Sequence, residues 1–137
     1  MTQIDFYQLG TQHQNANQLV CQLCQKAYDN KQYTLLLTQS PEQTAQLDRQ
    51  LWTFSEDSFI PHDAQESSGF KTPILIHDQH QPNGERSLLI NLSGSIPDYF
   101  AQFERVIELV TDDNKLQARA HYRYYQERGY PLKHHNL

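Results

Sequence analysis

Apolar residues change period along the chain, and each change of period marks an element. Ile4–Leu9 mixes β-branched, aromatic and aliphatic side chains and predicts a first strand. Leu19, Val20, Leu23, Ala27 and Tyr28 recur at helical spacing, so Asn15–Asn30 reads as an amphipathic helix. Tyr33–Thr38 (YTLLLT) is a continuous apolar run of strand length, the pattern of a strand buried on both faces of a parallel sheet. Ser40-Pro41-Glu42-Gln43 then opens a helix running to about Trp52, with a capping serine, a proline at the first helical position and Gln43 closing a capping box. Ser58–Pro61 predicts a short strand and Asp63–Thr72 a polar loop. Pro73–His77 and Ser87–Leu92 predict two more strands, and the loop Asp78–Arg86 between them carries the turn signal Pro82-Asn83-Gly84. Ser95-Ile96-Pro97-Asp98, followed by Tyr99, Phe100 and Phe103, predicts another helix, and Val106–Val110 a further strand. Asp112 and Asp113 favour the start of a last helix, which Gly129 ends. This alternation predicts a three-layer, open, mostly parallel α/β sheet with helices on both faces, a Rossmann-like fold without a nucleotide site. The length of 137 residues fits one domain, 1–137.

Composition narrows the class. The mean hydropathy of −0.77 is low, but 18 glutamines supply much of the polarity, and glutamine is neutral and helix-compatible, so the bias is not that of a disordered chain. No apolar run reaches the ~18 residues of a membrane helix, and MTQIDFYQLG lacks a basic segment followed by an apolar one; a cytoplasmic protein is expected. The net charge of −5 is unevenly spread. From Lys115 onward there are five basic residues (Lys115, Arg119, Arg123, Arg128, Lys133) and one acid, Glu127, a local +4 against −9 for the first 114 residues. A broad nucleic-acid binder is basic over a large surface. This small patch suits a short acidic ligand.

Known catalytic patterns are missing. The first strand–helix turn, Leu9-Gly10-Thr11-Gln12-His13-Gln14, has one glycine and no phosphate-binding motif, so no cofactor is expected. Cys21 and Cys24 form a C-x-x-C in mid-helix, whereas a redox pair sits at a helix N-terminus, and no second pair completes a zinc site. Two buried, reduced cysteines are expected. His77 and His80 flank a turn and His134-His135 lies near the terminus, but neither pair has an evident third ligand. The acid pairs Glu56-Asp57 and Asp112-Asp113 suit a loop and a helix start.

Two stretches have the character of docking surfaces. On the last helix, Lys115, Arg119, Tyr122, Arg123 and Gln126 fall within an arc of about 100°, three cations around one phenol, with Glu127 outside it. Cations cradling a ring suit a ligand with carboxylates beside an aromatic group; a solvated basic helix end has the same pattern. The other stretch, Trp52–His62 (WTFSEDSFIPH), packs three large aromatics into eight residues, as interface anchors or as core.

Laid out in this order, the chain resembles the chi subunit family of bacterial DNA polymerase III. The resemblance is carried by Ile4-Asp5-Phe6-Tyr7-Gln8-Leu9, Gln18-Leu19-Val20-Cys21, Leu47-Asp48-x-x-Leu51-Trp52, Ser58-Phe59-Ile60-Pro61-His62, Leu88-Leu89-Ile90-Asn91-Leu92, Ala118-Arg119-x-x-Tyr122-x-x-Tyr125 and Gly129-Tyr130. It implies a non-catalytic connector in the clamp-loader complex, acting in DNA replication and touching nucleic acid only indirectly. The implied partners are the psi subunit, facing Trp52, Phe59, Pro61 and His62, and the acidic, phenylalanine-bearing C-terminal tail of single-stranded-DNA-binding protein, facing Lys115, Arg119, Tyr122 and Arg123. A helicase-like repair partner sharing the psi surface is a further implication. Gln126 stands where some members carry an arginine, leaving one cation fewer. The reading from a different class is a nucleotide-dependent or thiol-based enzyme on a doubly wound fold.

Overall fold

In a computed structural model, residues 1–9, 16–53, 61–63, 73–78 and 87–136 are described. Seven strands form one sheet: β1 (Gln3–Gln8), β2 (Thr34–Leu37), β3 (His62–Asp63), β4 (Ile74–His77), β5 (Leu88–Asn91), β6 (Arg105–Val110) and β7 (Leu132–Asn136). Their order is β3-β4-β2-β5-β6-β1-β7, and every pairing is parallel. Among the described residues three α-helices cover it: α1 (Ala16–Asp29), α2 (Pro41–Thr53) and α3 (Lys115–Glu127). The α/β class read from the sequence is therefore the observed one.

Direction of travel decides which face each helix takes. β1 to β2 and β2 to β4 move one way along the sheet, and α1 and α2 share one face there. β6 to β7 moves the other way, and α3 lies on the opposite face. Right-handed crossovers require this, since reversing direction exchanges faces. Both faces of the sheet are covered, which is why β2, β4 and β5 read as unbroken apolar runs. Leu36, Ile76 and Ile90 pack under α1 and α2, while Leu35, Leu75 and Leu89 face the α3 side.

Helix ends follow their local chemistry. The Ser40 Oγ accepts the Gln43 N–H at 3.2 Å, and the Gln43 side chain reaches back to the Gln39 N–H at 2.7 Å, a capping box displaced by one residue. At the end of α3 the Tyr130 N–H bonds the Tyr125 carbonyl at 3.2 Å and the Gly129 N–H the Gln126 carbonyl at 3.1 Å. This is a Schellman turn, and Gly129 sits at the φ of +79° that it requires.

Three expectations need correction. The helix predicted from Ser95 shrinks to a single 3₁₀ turn, Phe100–Gln102, because the chain has to enter β6 at Arg105 beside β5, and Phe100 and Phe103 are buried within so short a link. At the second edge, the two-residue strand β3 begins at His62, so Asp63 belongs to a strand and not to the predicted loop. The remainder of that loop, the strand predicted from Ser58, and the Pro82-Asn83-Gly84 turn lie outside the described residues. Beyond Gly129, where no element was predicted, β7 pairs with β1. Its sequence, LKHHN, has neither apolar alternation nor a buried run, as befits a charged edge strand.

Two polar clusters pin α3 and β7. Glu108, on β6, is 4% exposed, and its Oε2 accepts from Asn91 Nδ2 and from the Tyr125 hydroxyl, each at 2.8 Å. The His121 Nδ1 lies 3.0 Å from Oε1. Burial, with the Glu108 carboxylate beside it, pushes the Tyr125 hydroxyl well above the usual phenol range, so it remains a donor. On the other face Asp5 is fully buried and accepts from Arg105 Nε and from Gln3 Nε2 at 3.0 Å. Burial alone would raise the Asp5 carboxyl, but these hydrogen bonds and the Arg105 charge hold it below the usual carboxylate range. The stability this provides is present above the ordinary carboxylate value and is lost as pH falls through the lowered one.

Tyr125→Phe removes one of the donors to Glu108 without opening a cavity. It should cost about 1–2 kcal/mol, read as a lower urea midpoint at unchanged m-value; an unaltered midpoint would mean that the buried carboxylate does not hold α3.

Candidate peptide-docking groove

Between α3 and the carboxyl ends of β1, β6 and β7 lies a groove of about 250 Å³. Phe6, Gln8, Val110 and His134 line it from the sheet, and Lys115, Ala118, Arg119 and Tyr122 from the helix. The strand register explains the floor. Phe6 aligns with both Glu108 and His134, and Gln8 with Val110, so these side chains share the α3 face. Helical spacing explains the wall, because Lys115, Ala118, Arg119 and Tyr122 stand at i, i+3, i+4 and i+7, the positions of one helix face. Ala118 is buried on the face that α3 turns to the groove, where a larger residue would crowd the packing.

The groove is basic and aromatic. Tyr122 is 37% exposed, and its ring tilts against Phe6 with centroids 5.3 Å apart. Lys115 makes an exposed pair with Asp112 at 3.3 Å, a contact that solvent screens heavily. No acid lines the groove among the described residues. Arg123 and Gln126 are exposed on the same helix but do not line the groove.

The sequence reading missed Phe6, Gln8 and His134. All three come from strands, and their convergence with α3 depends on which strand β7 joins. Successive strand residues face opposite sides, so the His134-His135 pair does not converge on one site. His135 stacks on Tyr7 with centroids 4.5 Å apart and points its Nε2 toward Asp5, 3.5 Å away, on the face opposite the groove.

The aromatic stretch lies at the other edge of the sheet. Trp52, near the end of α2, is 57% exposed. Pro61 is half-buried, its carbonyl accepting the Ile74 N–H at 3.3 Å, and His62 opens β3. Phe59 lies outside the described residues.

Both cysteines are buried and free within α1. Burial pushes the Cys21 thiol up to about 11 and raises Cys24 further, the opposite of an activated thiolate. Among the described residues no three metal-ligating side chains cluster, and no helix is long and apolar enough to cross a membrane.

An open, all-parallel α/β sheet with a basic groove at the carboxyl ends of its strands defines the class of domain, since ligands of such sheets bind at those ends. Comparison with known proteins defines the family. The family described as "DNA polymerase III chi subunit, HolC" matches residues 1–133. DNA polymerase III subunit chi of Pseudomonas aeruginosa is 35% identical over all of this chain and 98% of its own length. The chi subunit of Haemophilus influenzae is 32% identical over 81% of this chain and 78% of its own, and that of Escherichia coli 29% identical over 84% and 81%. This chain belongs to the DNA polymerase III chi subunit family, and is therefore a subunit of a DNA-replicating polymerase complex.

With the Cys21 thiol at about 11, roughly one molecule in a thousand carries its thiolate at pH 8. A disulfide-exchange reagent should therefore label neither cysteine of the folded chain within minutes, and both in denaturant. Rapid labelling of the native chain would revive a thiol-based activity.

Proposed function

We propose that this chain is a non-catalytic adaptor of the clamp-loader complex, joining the psi subunit to the acidic C-terminal tail of single-stranded-DNA-binding protein. The observation that carries the reading is the acid-free groove lined by Lys115, Arg119 and Tyr122, with the Tyr122 ring against Phe6. A tail ending in Asp-Phe-Pro-Phe brings an α-carboxylate, a side-chain carboxylate and two rings. Arg119 offers a carboxylate two parallel hydrogen bonds, a geometry lysine does not copy. Lys115 and Arg123 contribute attraction at longer range, and the Tyr122 and Phe6 rings give the terminal phenylalanine an apolar bed.

The second partner suits the far edge. Trp52, exposed at the end of α2 beside β3 and β4, has the character of an interface anchor for psi. The groove borders β7 and the tryptophan borders β3, the two ends of the sheet, so both partners fit the chain together. That separation is what an adaptor needs. The buried thiols weigh against the alternative of a thiol-based enzyme.

Calorimetric titration of tail peptides tests the groove. Arg119→Ala should cost about 1.5–3 kcal/mol of binding, and Arg119→Lys should weaken it measurably although charge is kept. Amidating the peptide's C-terminus should hurt as much as losing a cation; equal binding of amide and free acid would refute the carboxylate clamp. At the other edge, Trp52→Ala should cost about 2 kcal/mol of psi binding and leave peptide binding unchanged. If that variant unfolds instead, the tryptophan is core and the psi surface lies elsewhere.

A further inference from the structure

The groove has a wall that its helix does not supply. His134 stands on β7, directly beside Phe6 in register, and lines the cavity opposite Lys115 and Arg119. It is exposed, and histidine is the side-chain type that can change charge near neutral pH. We propose that His134 is a third cationic contact for the acidic peptide, so that binding takes up a proton and tightens as pH falls. The inference rests on reading the groove as an acidic-peptide site, and adds to it the sheet's contribution and a pH dependence.

The surroundings of His134 favour this role. From α3 the charged groups lining the same cavity are Lys115 and Arg119, with the Tyr122 phenol about one turn beyond Arg119. From β1 come Phe6 and Gln8, both uncharged. Two acids stand near the groove without lining it: Asp112, highly exposed and paired with Lys115 at 3.3 Å, and Glu108, two strands away across Phe6, whose oxygens are engaged by Asn91, Tyr125 and His121. On its own strand, Lys133 and His135 face the other side, where His135 meets Tyr7 and Asp5. No acid of the chain, among the described residues, lines the groove to partner the imidazolium. An incoming carboxylate is its natural partner, and a carboxylate seated opposite an imidazole favours the protonated ring.

The sign follows directly. A contact made by imidazolium is present below the imidazole range and fades as pH rises through it, while the peptide's carboxylates stay ionised throughout. An exposed pair of this kind is worth little more than a factor of a few. The neighbouring histidines stand apart from the groove: His121 lies against Glu108 under α3, and His135 is on the opposite face.

The experiment is titration of an N-acetylated peptide ending in Asp-Phe-Pro-Phe at pH 6 and pH 8, with wild type, His134→Asn and His134→Lys. Wild type should bind about threefold tighter at pH 6. His134→Asn should bind equally at both, at the wild-type pH 8 level, and His134→Lys should hold the tighter value at both. At pH 6.5 the wild-type binding heat should vary with the buffer's ionisation enthalpy, reporting proton uptake, and that of His134→Asn should not. Binding that depends on Arg119 but keeps its pH dependence in His134→Asn would overturn this proposal alone and assign the proton elsewhere. So would a pH-independent wild type. Absence of peptide binding by wild type at either pH would overturn the groove reading, and this inference with it.

Discussion

One buried carboxylate governs the side of the molecule that carries the groove. Glu108 sits in the middle of the sheet with 4% of its surface exposed, and a carboxylate so placed is costly unless donors fill its acceptor sites. Its donors come from separate elements: Asn91 on β5, and His121 and Tyr125 on α3. Few positions of α3 bring both of its groups to the same carboxylate, so the requirement fixes how the helix lies on the sheet. Asn91 extends the constraint into the β5–β6 link, donating to the Ser95 carbonyl at 2.8 Å and accepting from the Ser93 N–H at 3.1 Å. The width of the groove follows from these bonds. Lys115, Arg119 and Tyr122 stand over Phe6 because Tyr125 and His121, on adjoining stripes of the same helix, are tied down.

β1 connects that face to the other. Its even-numbered residues, Ile4 and Phe6, support α3, and its odd-numbered ones, Asp5 and Tyr7, face away. There Arg105 bonds both Asp5 and, at 2.9 Å, the Tyr7 hydroxyl, while His135 stacks on the Tyr7 ring. Of these contacts the His135–Tyr7 stack reaches β7, which has a hydrogen-bonded neighbour on one side only among the described strands and little apolar surface of its own. The buried side of β1 thus secures the strand whose outer side completes the groove.

A parallel sheet with one reversal of direction also has two ends that are far apart in space yet served by different helices. The α2 end carries an exposed tryptophan beside β3, and the α3 end a basic groove beside β7. In the proposed adaptor role, each surface works without rearranging the other. The low reactivity expected of Cys21 and Cys24 follows from their burial, since both belong to the apolar cluster that Leu19 and Leu23 of α1 form with Leu36 of β2.

Local pattern alone determined much of this protein. The apolar runs of β2, β4 and β5, the helical stripe of α1, the Ser40 cap and the Gly129 turn were all legible, because each expresses a short-range rule about burial or backbone geometry. The arc of Lys115, Arg119 and Tyr122 was legible for the same reason, being a property of one helix. Three things needed the tertiary structure. β7 is a polar edge strand whose partner lies at the other end of the chain, so nothing in LKHHN announces it. The link before β6 carries helix-like spacing, but adjacency of β5 and β6 leaves room for one turn. Finally, Phe6, Gln8 and His134 join the groove only through strand register and the alternation of faces, which place residues distant in sequence side by side.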